Sequence, residues 1–100
     1  MVAELLVDEP GPGRLHISGE IDTHTAPALA DRLTGIDPDT HLEIDLTETS
    51  FISSAGLSTL LAAAERFEAG GGSLRLTGAS ETVARLIELS GLADRLPIGD

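Results

Sequence analysis

The chain contains no cysteine, lysine, tryptophan or tyrosine. The absence of cysteine excludes disulfides, thiolate metal sites and cysteine catalysis. The absence of lysine excludes the P-loop phosphate site, whose motif requires one. Because Phe51 and Phe67 are the only aromatic residues, the core must be built from leucine, isoleucine, valine and alanine.

Basic residues are also scarce. Six arginines stand against 17 acidic residues, which gives a net charge of -11. An acidic surface repels nucleic acid and anionic lipid, so we expect neither as a partner. It either attracts a basic partner or serves solubility alone. No apolar run approaches the roughly 18 residues of a membrane span, and no signal-like start is present. We therefore expect no membrane insertion and a cytoplasmic location.

The length of 100 residues predicts one domain, 1–100. Apolar and polar residues alternate in Arg14–Ile21, His41–Leu46 and Ser73–Thr77, and this alternation predicts half-buried strands. The short apolar run Leu5–Val7 predicts a further strand, separated from the next by a turn over Glu9–Gly13. The chain is thus expected to supply four strands.

Three segments with helical spacing follow the second, third and fourth predicted strands. Serine or threonine, the preferred capping residues, mark their starts at Thr23 or Thr25, near Ser54, and at Ser80. Glycines at 35, 70–72 and 91 mark their ends. Strand–helix–strand units imply parallel strands, and strands that are apolar on one side imply helices on one face. The sequence therefore predicts an α/β fold with a mixed sheet.

The stretch TSFISSAGLSTLL (Thr49 to Leu61) places two adjacent hydroxyls, on Ser53 and Ser54, at the start of the second helix. One serine there is an ordinary cap, because the first amides of a helix need acceptors. The same amides and the helix dipole also tolerate an anion, so a phosphorylated serine would not disrupt the fold. Both interpretations remain open from the residues alone.

Catalytic interpretations are weaker. The SSAGL segment is not the G-x-S-x-G nucleophile elbow. His16, His24 and His41 share no spacing that would make a catalytic triad or a metal site. We expect no enzymatic activity, no metal and no cofactor.

Three segments together resemble a known family: GEID (Gly19 to Asp22), IDLTETSFISSAGLSTLL (Ile44 to Leu61) and LRLTGAS (Leu74 to Ser80). They resemble the STAS domain, and more narrowly the bacterial anti-sigma factor antagonists. The resemblance implies a small STAS-like domain with a mixed four- to five-stranded β-sheet and helices packed on one face.

The resemblance also implies a partner switch. The unphosphorylated antagonist binds an anti-sigma factor serine/threonine kinase, and the sigma factor is freed. The kinase then phosphorylates the antagonist, the complex falls apart, and a PP2C-type phosphatase resets the cycle. The alternative is an accessory STAS subunit that is never phosphorylated, for example in a lipid-transport ATPase.

The family motif places the phosphorylated serine two residues before its glycine, which here is Ser54 before Gly56. Ser53, in the place of the family's aspartate, is the second choice, and Ala55 replaces the family's serine or threonine. The resemblance implies a partner-binding set of Asp22, Ser53, Ser54, Ala55, Gly56, Leu57, Thr77 and Gly78. For Asp22, a role as a cap or turn residue before the first helix stays open.

Overall fold

The structure is a computed structural model that describes residues 5–96, 98 and 99. These residues form five strands and three helices. In chain order they are β1 (Leu6–Gly11), β2 (Arg14–Ile21), α1 (Ala26–Thr34), β3 (His41–Asp45), β4 (Thr49–Ile52), α2 (Ser54–Ala69), β5 (Ser73–Thr77) and α3 (Glu81–Leu89).

The long strand β2 organises the sheet. It pairs with β1 in antiparallel fashion. On its other edge it pairs in parallel first with β3, at 14–16, and then with β4, at 19–21. Strand β5 lies parallel to β3, so the order is β1-β2-β3-β5 with β4 continuing beyond the end of β3. The sheet is mixed, as the sequence predicts.

The alternation along the strands separates a buried face from a polar one. On the polar face, Arg14 and Glu43 form an ion pair with 3.4 Å between Nη2 and Oε2. The buried faces of the strands and of all three helices join one core, as expected when helices cover one side of a sheet. Its fully buried large side chains are Phe67, Leu15, Ile17, Ile21, Leu29, Ile44, Leu46, Ile52, Leu60, Leu76, Ile87 and Val83.

The four- to five-stranded mixed sheet that the resemblance implies is confirmed, but the four strands predicted from alternation and apolar runs did not include β4. A turn interrupts the chain after β3, where Asp45 accepts from the Thr47 amide and the Thr49 amide donates to the Leu46 carbonyl. The inward residues of β4 are Thr49 and Ile52, three apart, so no alternation is visible. The buried Thr49 hydroxyl is satisfied by the Ile17 carbonyl at 2.9 Å.

Strand β1 is longer than predicted, and the predicted turn Glu9–Gly13 is correspondingly too long. The strand continues to Gly11, which pairs with Arg14 across a two-residue turn, Pro12–Gly13. Pro10 fits in the strand because β1 is at the sheet edge, where proline's missing amide leaves no ladder partner unpaired. Gly13 has φ 75, the left-handed conformation that a turn with proline before glycine requires.

The predicted helix ends are confirmed. Thr25 stands at the N-cap of α1, although its side chain makes no capping bond there. Ser80 caps α3, and Gly91 follows that helix with φ 79. Within the described residues, none of the helices is long and apolar enough to span a bilayer.

Candidate functional site

Ser53 is the N-cap of α2. Its backbone is extended (φ -93, ψ 174), and its hydroxyl oxygen accepts a hydrogen bond from the Gly56 amide at 3.3 Å. Its carbonyl accepts from the Leu57 amide at 2.9 Å. Ser53 is half-buried and thus holds the first turn of the helix in the manner typical of a capping serine.

Ser54 is the first residue of α2, and its side chain is exposed. The amides of Ser54 and Ala55 lie in the part of a helix that has no intrahelical acceptors. No acidic side chain occupies the first turn of α2. An exposed hydroxyl therefore stands at the positive end of a helix dipole, with no fixed carboxylate in that turn.

Gly56 allows α2 to lie against the end of β2. A Cβ on Gly56 would come within 2.6 Å of Ile21 Cγ2 and 3.0 Å of the Ile21 carbonyl oxygen. The same carbonyl accepts from the Ser53 amide at 2.8 Å. The start of α2 is thus fixed to β2 by one hydrogen bond and by a contact that only glycine permits.

Asp22 closes the turn between β2 and α1. Its Oδ1 accepts from the amides of His24 and Thr25, both at 2.9 Å, and lies 3.2 Å from the Thr25 hydroxyl oxygen. The hydrogen bond from the Thr25 amide is the main reason why the pKa of Asp22 lies below its usual value. The structure therefore gives Asp22 the turn role that the sequence left open, and its contact with a partner stays a prediction.

Thr77 and Gly78 lie at a different level of the sheet from the end of β4, which leads into Ser54, and their contact with a partner stays a prediction. They pack against the turn after β3: Leu46 donates to the Thr77 carbonyl at 2.8 Å, and a Cβ on Gly78 would lie 2.9 Å from Asp45 Oδ1. Thr77 pairs with Asp45 of β3, which in turn pairs with His16 of β2. Ile52 of β4 pairs with Ile21, which lies further along β2. Five residues of strand separate these levels, or roughly 16 Å.

The remaining predicted residues differ in exposure. Gly56 and Leu57 are buried, with only 2% of Leu57 exposed, while Ala55 is half-buried. Gly56 and Leu57 therefore support the surface near Ser54 from below. Ser54 and Ala55 are the more accessible of these residues, and their contact with a partner stays a prediction.

A groove beside Ser54 contains residues that no sequence motif singles out. It has a volume of about 380 Å³ and lies between β4, the start of α2, and α3. Its lining consists of Phe51, Ile52, Ser53, Ser54, Leu57, Leu86, Leu89 and Ser90. More than 30 positions separate Phe51 from Leu86 and Leu89, so only the packing of α3 on β4 reveals the groove.

Residues 5–96, 98 and 99 contain no cluster of three or more histidine or acidic side chains suited to a metal ion. The features that distinguish the site are instead a capped helix start, an exposed hydroxyl and an apolar groove. These features belong to a small α/β domain with an apolar groove beside an exposed serine.

The family is shown by comparison with known proteins. The family model described as "STAS domain" matches residues 6–100, so the chain belongs to the STAS domain family. The chain is 34% identical over 86 residues to the anti-sigma-B factor antagonist of Bacillus subtilis, covering 85% of this chain and 79% of the relative.

Solved structures of anti-sigma factor antagonists have a similar fold. An anti-sigma factor antagonist from Mycobacterium paratuberculosis is similar at 33% identity with a TM-score of 0.76, covering 97% of this chain and 85% of that one. The antagonist SpoIIAA in its unphosphorylated form has a TM-score of 0.73 at 20% identity, covering 97% and 89%. Its phosphorylated form has a TM-score of 0.65 at 18% identity, covering 97% and 92%. At these lower identities the likeness shows the fold alone.

Proposed function

We propose that the protein is an anti-sigma factor antagonist that works as a phosphorylation-controlled partner switch. In its unphosphorylated form it binds an anti-sigma factor serine/threonine kinase, and phosphorylation of Ser54 releases it. The observation that carries the proposal is the exposed Ser54 at the first position of α2, beside a serine that already serves as the cap. The names of two relatives above 30% identity support the role of an anti-sigma factor antagonist.

The geometry favours Ser54 over Ser53 as the acceptor. Phosphorylation of Ser53 would alter the half-buried hydroxyl that accepts from the Gly56 amide. Phosphorylation of Ser54 leaves that bond in place and modifies an exposed oxygen that a nucleotide's terminal phosphate can approach. In this proposal the Ser53 hydroxyl caps the helix and the Ser54 hydroxyl accepts the phosphate.

The start of α2 can carry the added charge. A phosphoserine brings about 1.5 to 2 negative charges at neutral pH. Helix amides without acceptors and the positive end of the dipole favour an anion at this place, and the first turn holds no carboxylate that would repel it. SpoIIAA, which shares this fold, is known in a phosphorylated form, so the fold as such is compatible with a phosphate.

The same charge would weaken docking. A phosphate forced into the interface is desolvated or repelled, and a cost of about 3 kcal/mol lowers affinity roughly 100-fold. In this scheme the protein works in the cytoplasm as the substrate of a kinase and a PP2C-type phosphatase, and it is not itself an enzyme.

The test is to purify each anti-sigma factor kinase of the source organism and to incubate it with the protein and ATP. Mass spectrometry is expected to find one phosphate, on Ser54, and none in Ser54→Ala. Ser58, exposed one turn further along α2, provides the matched control: Ser58→Ala is expected to be phosphorylated as the wild type. Binding without ATP is expected to be the same for all three proteins.

The proposal is wrong if none of these kinases binds or modifies the protein. Tight binding to a partner that is not a kinase, unchanged by ATP, would instead identify an accessory STAS subunit.

A further inference from the structure

Large apolar side chains are rarely exposed on the described part of the chain, and half of the exposed ones lie in one place. The four are Leu6, Phe51, Leu89 and Ile98. Phe51 on β4 is 38% exposed and Leu89 on α3 is 75% exposed, and both line the groove beside Ser54. We call this feature the Phe51–Leu89 groove. Clustered apolar exposure of this kind is typical of an interaction surface.

The chemistry of the groove restricts what can fill it. None of its eight lining residues is charged, although the chain has 23% charged residues and a net charge of -11. The buried Ile52 and Leu57 contribute to the lining, while Ser53, Ser54 and Ser90 supply its only polar side chains. An apolar side chain suits this lining. The chain as a whole is strongly acidic, which favours a partner with basic residues.

We propose that the Phe51–Leu89 groove receives an apolar side chain of the anti-sigma factor kinase, from a surface that is basic around it. This inference rests on the proposed function and extends it by naming the contact. Ser54 belongs to the same lining, so the phosphate would be added at the groove itself. The docked side chain and the phosphate would then exclude each other, which links modification to release at a single place.

The test compares exposed apolar residues inside and outside the groove. Leu89→Ser and Phe51→Ser remove the two exposed walls, and Leu6→Ser removes a 57% exposed leucine from the sheet-edge strand β1. Affinity for the purified kinase without ATP is measured by calorimetry at low and high salt. We expect each groove variant to bind at least about tenfold more weakly, as when a hot-spot side chain at the centre of an interface is truncated, and Leu6→Ser to bind as the wild type.

Two further measurements make the result decisive. Melting temperatures identify any loss that comes from unfolding, and Leu89→Met, which keeps an apolar side chain, is expected to retain most of the affinity. Analytical ultracentrifugation tests whether the groove instead joins two copies of the chain. If Leu89→Ser and Phe51→Ser abolish self-association and leave kinase binding unchanged, the inference is wrong.

Failure of this inference can be told apart from failure of the proposed function. If the wild type binds the kinase and is phosphorylated on Ser54 while both groove variants bind equally well, only the groove inference is overturned. If the wild type neither binds nor is phosphorylated, the proposed function fails and the groove inference fails with it.

Discussion

Helices α2 and α3 begin in nearly the same way and differ at one informative position. Ser53 caps α2 by accepting from the Gly56 amide at 3.3 Å, and Ser80 caps α3 by accepting from the Val83 amide at 3.2 Å. The next residue is Ser54 in α2 and Glu81 in α3. One helix start thus has a fixed carboxylate where the other has a hydroxyl.

The comparison shows that this fold already tolerates a negative charge at the first position of a serine-capped helix. A carboxylate there is stabilised by the helix dipole. Phosphorylation of Ser54 would place a larger negative charge, about 1.5 to 2 units, at the equivalent position of α2. The difference is that the charge on α3 is permanent, whereas the charge on α2 could be added and removed, as a switch requires.

The third residue of each helix, Gly56 in α2 and Val83 in α3, gives the largest expected effect on the free energy of unfolding. Gly56→Ala is expected to destabilise the fold by about 1–3 kcal/mol through overpacking, because its Cβ would meet Ile21 at 2.6 Å. Val83→Ala, at the equivalent buried position of α3, is expected to cost about 2 kcal/mol through a cavity. Urea denaturation measures both. An unchanged midpoint for Gly56→Ala would show that α2 does not need its close contact with β2.

Several features of this comparison could be read from the sequence. Alternation in Arg14–Ile21 and Ser73–Thr77 marked strands buried on one side, and the serines at 53, 54 and 80 marked helix starts. These features are local, because the period of burial and the chemistry of a cap are visible within a few residues.

Features that depend on how distant segments meet were not visible. Strand β4 was missed because its inward residues follow no alternation. The distance between Thr77 and Ser54 depends on β4 continuing past the end of β3 along β2. Leu89 enters the site only because α3 packs over β4. Which of the two serines is the cap became clear only from the hydrogen bond between the Gly56 amide and the Ser53 hydroxyl oxygen.

Replacing the capping serines tests whether the two caps stabilise their helices equally. Ser53→Ala and Ser80→Ala are each expected to cost about 1 kcal/mol, since each removes the acceptor of one first-turn amide. Ser53→Asp is expected to retain wild-type stability, because aspartate is an equally good cap. Urea denaturation gives these values.

We also expect Ser53→Ala to be phosphorylated on Ser54. Phosphorylation of Ser53 in Ser54→Ala would contradict the separate roles of the two serines.

Exchanging charge at the first position is expected to give a smaller effect. Ser54→Glu gives α2 the residue that α3 has and is expected to raise stability by about 0.3–1 kcal/mol at low salt. Glu81→Gln is expected to lower it by a similar amount. Both effects should shrink as salt is added, because the charges are exposed and screened. Thermal melts at two salt concentrations measure the changes, and a destabilised Ser54→Glu would show that α2 does not tolerate the charge.

The smallest effect is expected for stability in acid, which depends on the carboxylates of Asp22 and Asp45, outside the two helix starts. Hydrogen bonds from Thr25 hold the pKa of Asp22 below 3.8, and hydrogen bonds from Thr47, chiefly from its hydroxyl, do the same for the pKa of Asp45. A lowered pKa gives stability that is present above pH 3.8 and is lost as the pH falls through the lowered pKa. Asp45→Asn is therefore expected to lose less stability than the wild type below pH 3.8. Identical acid titrations of stability would contradict the account of Asp45.

The most direct test of the central claim compares the purified protein carrying one phosphate on Ser54 with the unmodified protein. Calorimetry with the anti-sigma factor kinase measures affinity, and thermal melting measures the fold. We expect the phosphorylated protein to bind about 100-fold more weakly and to melt at an unchanged or slightly higher temperature. Equal affinity of the two forms, or a phosphorylated form that has lost its cooperative melt, would contradict it.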